Sequence, residues 1–219
     1  DWNQGGLGDT PDGGNYGSVW IDYDNDCDID MFIAKCRGGN SPANINQMHR
    51  NNGDGTFTEV GEEIGLADNV QTWSSAWADY DNDGDLDVAI TGSGPGGARS
   101  AIYNNNSGSF EDAGANLRVL SASAIAWGDF DNDGDPDLYL ANDFALNVLY
   151  INKGDGSFEN IAEAAGVLGS IDMFGEDEVP NGYGTALADV DNDGYLDIYV
   201  VNLGGTNILY RNNGNRTFT

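Results

Sequence analysis

The chain has 219 residues and carries 37 Asp and Glu against 8 Lys and Arg, a formal charge of −29. So acidic a balance excludes nucleic acid and anionic membrane surfaces as partners, since both require basic patches, and it favours cations. With 39% hydrophobic and 11% aromatic residues the chain reads as folded rather than disordered, and no apolar run approaches the length of a transmembrane helix.

In chain order, the predicted elements form four copies of one unit. In the first, "SVWIDY" and "IDMFIA" are strands flanking an acidic loop that begins at Asp22. "QMHRN" and "TFTEV" are two more strands, joined by a hairpin turn at "NGDG". The stretch 59–67, "EVGEEIGLA", reads as a single turn of helix between units. The second copy runs "SAWADY", a loop from Asp79, "LDVAIT" and "AIYNNNSGSFED". The third runs "AIAWGDF", a loop from Asp129, "PDLYLA" and "VLYINKGDGSFEN", followed by a helical turn at 160–168. An extra loop at 169–183 precedes the fourth, with "TALADV", a loop from Asp189, "LDIYVV" and "ILYRNNGNRTFT".

Repeat boundaries fall at approximately 1–60, 61–112, 113–160 and 161–219. Four short strands per repeat give an all-β chain built as a β-propeller, one four-stranded blade per repeat. A tandem sandwich would need about seven strands per unit. The chain starts at Asp1 without a Met and ends on an outer strand, so the expectation is four consecutive blades of a longer propeller. Cys27 and Cys36 are too few for a disulfide scaffold. A strand run between them argues against a bond, and an oxidising compartment argues for one, so their state is left open.

Each acidic loop follows one pattern. Counted from its first Asp, positions 1, 3, 5 and 9 are Asp22, Asp24, Asp26 and Asp30; Asp79, Asp81, Asp83 and Asp87; Asp129, Asp131, Asp133 and Asp137; and Asp189, Asp191, Asp193 and Asp197. Short carboxylates at alternate residues of a tight turn can converge on one hard cation. Ca²⁺ takes about six to eight oxygens in a flexible shell, whereas Mg²⁺ demands stricter octahedral geometry. Position 7, at Asp28, Asp85, Asp135 or Tyr195, is expected to lend its backbone carbonyl, which is why Tyr is tolerated there. Gly84, Gly134 and Gly194 at position 6 allow the reversal, and Cys27 replaces them in the first loop. Up to four Ca²⁺ are expected, one per repeat. An EF-hand would carry an acidic residue at position 12, but here it is Ile33, Ile90, Leu140 or Val200. One His and no Cys cluster disfavour zinc.

"DYDNDGDLDVAITG" with "AIYNNNSGSF", and "DFDNDGDPDLYLAND" with "NVLYINKGDGSFENIAEAAGV", resemble FG-GAP/VCBS repeats, the calcium-loop blades of integrin α-subunit propellers and many secreted bacterial proteins. The tail after each loop is most similar to the cartilage acidic protein branch and its bacterial relatives. The resemblance covers essentially the whole chain. It implies a seven-bladed propeller, Ca²⁺ in the loops joining the first two strands of blades, an extracellular or cell-surface setting, and roles in adhesion or scaffolding.

The functional expectation is therefore a non-catalytic, calcium-binding extracellular module for adhesion, scaffolding or protein or glycan interaction, with self-assembly as a further option and no membrane insertion. Alternatives are a lectin-like carbohydrate-binding propeller, a subunit of an extracellular filament, and an accessory domain of a larger secreted enzyme. His49, the one His, reads as a strand histidine, and no nucleophile motif accompanies it. Trp20, Trp77 and Trp127 share one slot and read as blade packing, whereas Trp2 and Trp73 lie outside it and are freer to meet a sugar. Asn105 and Asn215 begin N-x-S/T sequons.

Overall fold

The computed structural model describes residues 7–9, 14–36, 42–68, 70–94, 97–115, 117, 122–143, 145–169, 182–203 and 205–219, with the side chains of 93–99 left aside. Trp2 and nearly all of the 169–183 loop lie outside the described residues.

The first sheet pairs β1 (Asn15–Ile21), β2 (Asp30–Lys35), β3 (Gln47–Asn51) and β4 (Phe57–Glu59) in chain order. The second pairs β5 (Thr72–Ala78), β6 (Asp87–Gly94), β7 (Gly97–Asn105) and β8 (Phe110–Asp112). The third pairs β9 (Ala122–Gly128), β10 (Asp137–Asn142), β11 (Val148–Asn152) and β12 (Phe158–Asn160). The fourth pairs β13 (Gly182–Ala188), β14 (Asp197–Asn202) and β15 (Ile208–Tyr210). Its expected outer strand is reduced to one bridge, Asn212 to Phe218, beside reciprocal backbone hydrogen bonds between Arg211 and Thr219. All pairings described are antiparallel meanders, so each repeat is one propeller blade.

The first strands of successive sheets lie side by side, β1 by β5, β5 by β9 and β9 by β13, so they form the inner edge of the arc. Period-2 alternation decides what packs between blades. Phe32 and Ala34 on one face of β2 meet Val88 and Ile90 on the opposite face of β6. Tyr139 and Ala141 of β10 meet Ile198 and Val200 of β14 in the same way. The last blade has no such cover among the described residues. Tyr199 and Val201, on the face that Tyr139 and Ala141 bury completely in the preceding blade, are 40% and 41% exposed, and Leu209 beside them is 46% exposed.

Between blades, the two expected helical turns differ. Residues Ala162–Ala165 form α1, closed by Gly166 at φ 81. The corresponding stretch 61–65 is a turn, although Ile64 N–H still reaches Val60 O at 3.0 Å. Gly61 stands where α1 has Ala162, and glycine is a poorer helix former by about 1 kcal/mol. Both turns join neighbouring blades: Phe110 N–H donates to Ile64 O, and Phe218 N–H to Ala165 O.

Of the slotted tryptophans, Trp77 sits edge-on between Phe32 and Phe110, and Trp127 stacks on Tyr80 with its Nε1–H donated to Ala76 O. Trp20, in the first blade, is 55% exposed. His49 is buried in β3, where its Nε2 accepts Gly8 N–H. Both cysteines are free, and Cys36 Sγ donates to Gln71 Oε1. Asn105 is fully buried, with Nδ2 donated to Tyr23 O and Leu86 O, so its sequon is closed to a glycan in the folded state. Asn215 is exposed.

Candidate metal centres

Each acidic loop links the first two strands of its blade and is shaped by its own carboxylates. At position 1, Asp22 accepts the N–H groups of Asp26 and Cys27, and Asp79, Asp129 and Asp189 do the same for positions 5 and 6 of their loops. At position 5, Asp26, Asp83, Asp133 and Asp193 each accept the N–H of position 7. The reversal needs left-handed backbone twice: Asn25, Asn82, Asn132 and Asn192 sit at φ 58 to 62, and Gly84, Gly134 and Gly194 at φ 94 to 98. Cys27 is held at φ 72. An L-residue there costs roughly 1–2 kcal/mol, so Cys27→Gly is expected to stabilise the protein by about 1 kcal/mol, read as a higher melting temperature. An equal or lower melting temperature would show that the loop carries no strain at Cys27.

Position 9 is the brace. Asp30, Asp87, Asp137 and Asp197 are at most 1% exposed. One oxygen of each accepts the N–H of loop position 2, at Tyr23, Tyr80, Phe130 and Val190. The other accepts the N–H of an asparagine after the third strand's apolar run, at Asn51, Asn105, Asn152 and Asn212. Those asparagines then bridge blades: Asn105, Asn152 and Asn212 donate Nδ2 to Tyr23 O, Tyr80 O and Phe130 O of the preceding loop, each at 2.8 Å.

Carboxylate oxygens from positions 1, 3 and 9 converge in every loop. Asp22, Asp24 and Asp30; Asp79, Asp81 and Asp87; Asp129, Asp131 and Asp137; and Asp189, Asp191 and Asp197 each place one oxygen within 4.8 Å of the others. Oxygens on opposite sides of one Ca²⁺, each at 2.3–2.6 Å, would lie about 4.6–5.2 Å apart, so the spacing suits that ion. The position-5 carboxylates fall outside these groups, turned to the backbone as described, and the position-7 side chains fall outside them as well. In the first loop Asp24 Oδ1 is buried without a hydrogen-bond partner. Cations hold the same position in two others, Arg216 on Asp131 and Arg211 on Asp191.

Crowded charge shows in the protonation equilibria. Burial pushes the carboxyls of Asp30 up to about 6 and of Asp87 and Asp137 up to about 7, against the pull of their backbone hydrogen bonds. Burial, then repulsion from Asp26 and Asp22, raises Asp24. A raised carboxyl means the folded state binds more protons than the unfolded one between about pH 4 and pH 7. With divalent ions chelated, the melting temperature should therefore fall as pH rises through about 5 to 7. In excess calcium the trend should reverse, because proton and ion compete for the same oxygens. A rise with pH in chelator would contradict the burial of these charges.

One set of functional residues escapes sequence reasoning. The position-7 side chains are not idle: Asp85 and Asp135 accept Nδ2 of Asn25 and Asn82 from the loop before, at 2.8 and 2.7 Å. Where Tyr195 stands instead, Asn132 turns to Gly194 O at 2.9 Å. The signal was the Asn at position 4, present in every copy.

Repeated four-stranded blades, each with an acidic loop at the end of its inner strand, define a β-propeller repeat protein. FG-GAP-like repeats match residues 22–90, 84–140 and 129–200, each stretch running from one acidic loop into the strand beyond the next. The chain belongs to the FG-GAP-like repeat family. It is 37% identical to cartilage acidic protein 1 of Xenopus tropicalis and 38% identical to that of Homo sapiens, over 73 residues, a third of this chain and 10% of either relative. A lectin of Agrocybe aegerita that recognises non-reducing terminal N-acetylglucosamine shares the fold at a TM-score of 0.52, with 20% identity, over 94% of this chain and 51% of the lectin. The Vibrio cholerae biofilm matrix protein Bap1 does so at 0.50, with 18% identity, over 95% of this chain and 31% of Bap1.

Proposed function

We propose that this chain is a calcium-stabilised, non-catalytic extracellular binding module, and that its four blades belong to a longer propeller. The observation that carries the calcium reading is the fourfold convergence of carboxylates from positions 1, 3 and 9 on one point, with Asp24 Oδ1 buried and unpartnered. The ligands would be Asp22, Asp24 and Asp30 and their equivalents. The carbonyls of Asp28, Asp85, Asp135 and Tyr195 and the carboxylates of Asp26, Asp83, Asp133 and Asp193 are available to complete each shell. An all-oxygen, carboxylate-rich donor set suits a hard cation. The ion neutralises a loop that otherwise repels itself, and so makes the module's rigidity depend on millimolar extracellular calcium.

The exposed face of the last blade supports continuation. Tyr199, Val201 and Leu209 present the half of an interface that the same strands bury in the blades before. An extracellular setting and protein or glycan partners are supported by the kinship with cartilage acidic protein 1 and by the fold shared with a lectin and a matrix protein. Among the described residues, the carboxylates that converge are those of the acidic loops, which supports a binding rather than a hydrolytic reading. Calorimetric titration of chelator-stripped protein with calcium tests the proposal. Saturable binding of several ions per chain, abolished loop by loop in Asp→Asn variants at position 1, is expected, and absence of binding would overturn it.

A further inference from the structure

At the end of the inner strands away from the acidic loops, each of the four blades breaks register at the same place. Pairing of β1 with β2 skips Tyr16, β5 with β6 skips Trp73, β9 with β10 skips Ser123, and β13 with β14 skips Tyr183. A bulge leaves one residue unpaired and re-aims its side chain, and such bulges gather beside functional sites. Four equivalent bulges on the four inner strands bring these residues to one end of the arc. Tyr16 and Trp73 stack with ring centroids 6.5 Å apart and planes 29° from parallel. Tyr16 is 59% exposed and Tyr183 46%. Asn142 pairs with Ala122 beside the Ser123 bulge, so Asp143 stands at this same end of the third blade.

Asp143, just after β10, is a buried carboxylate at 5% exposure whose Oδ1 has no hydrogen-bond partner. Ser123 Oγ is likewise buried and unpartnered. A buried polar atom without a partner calls for an explanation, and a ligand hydroxyl would supply one for both Asp143 and Ser123.

We propose that this axial mouth, lined by Tyr16, Trp73, Ser123, Tyr183 and Asp143, binds a neutral carbohydrate. An aromatic platform offers a π-face to the polarised C–H bonds of a pyranose ring. The tyrosine and serine hydroxyls both donate and accept, matching sugar hydroxyls, and the Asp143 carboxylate accepts two more. A charge of −29 and an unpaired carboxylate in the mouth repel sulfated or sialylated glycans. The inference specifies the ligand of the binding module and leaves the calcium reading independent of it.

The test is a glycan array of neutral, sialylated and sulfated oligosaccharides, probed with the chain in calcium. Retention of neutral glycans is expected, weakened at least tenfold in Trp73→Ala and at least fivefold in Asp143→Asn, and unchanged in Trp20→Ala, whose Trp lies outside the mouth. Should Trp73→Ala fail to fold, Tyr183→Ala on the exposed side of the mouth replaces it, with the same tenfold loss expected. Retention of acidic glycans only, of no glycan, or of neutral glycans with equal strength by the folded mouth variants would overturn the proposal. Calcium calorimetry on the same preparation separates the two: protein that binds calcium but no neutral glycan fails only here.

Discussion

Stripping divalent ions from this protein is expected to lower its melting temperature drastically, and at physiological temperature to unfold much of it. A ligand present at 100 times its dissociation constant stabilises the native state by about 2.7 kcal/mol per site. Four such sites amount to about 11 kcal/mol, the same size as the whole stability of an ordinary domain, about 5–15 kcal/mol. The physical origin is local. In each loop, carboxylates at positions 1, 3 and 9 lie within 4.8 Å of one another, and the arginines near them, such as Arg211 on Asp191 and Arg216 on Asp131, leave most of that charge uncompensated. Thermal melts in calcium and in excess chelator, followed by circular dichroism, check this. Coincident curves would mean that the clusters hold no ion that matters to folding.

The second large effect concerns one carboxylate per blade. Asp137→Ala is expected to destabilise the protein by about 4 kcal/mol. Its side chain is fully buried and accepts the N–H groups of Phe130 and Asn152 at 2.9 and 2.8 Å. Removing it strands two buried donors, at roughly 1–3 kcal/mol each, besides one of the three converging carboxylates of its loop. Asp135→Ala, two residues earlier, is the contrast. That side chain lies at the loop surface, and its bond to Asn82 Nδ2 is an exposed one at 2.7 Å, worth about 1 kcal/mol. Denaturant melts of the two variants should separate by several kilocalories per mole. Equal losses would show that position 9 is an ordinary loop residue rather than the brace of its blade.

Much of this was legible in the sequence, for a reason that can be named. A motif seen once is ambiguous between a turn and a metal loop, but four copies in register fix the blade, because each copy must form the same strands. The apolar residues of "IDMFIA" and "LDIYVV" also mark the second strands, where Phe32 and Ile33 bury on both faces and Ile198 and Val200 bury on one. Three things were not legible. The brace formed by Asp30 with the N–H groups of Tyr23 and Asn51 depends on bringing the third strand alongside the loop, which no local pattern encodes. The Asn25 to Asp85 and Asn82 to Asp135 links join residues in different blades, so position 7 looked dispensable except for its carbonyl. The bulges at Tyr16, Trp73, Ser123 and Tyr183 have no shared residue type, and only strand pairing reveals them.

Calcium itself can be located directly. Crystals grown in calcium, with data collected at a long wavelength where calcium scatters anomalously, should give four anomalous peaks per chain. Each should lie among the carboxylates of positions 1, 3 and 9 of one loop, the first among Asp22, Asp24 and Asp30. A map with no peak at any of the four loops, from protein that remains folded, would contradict the account at its root.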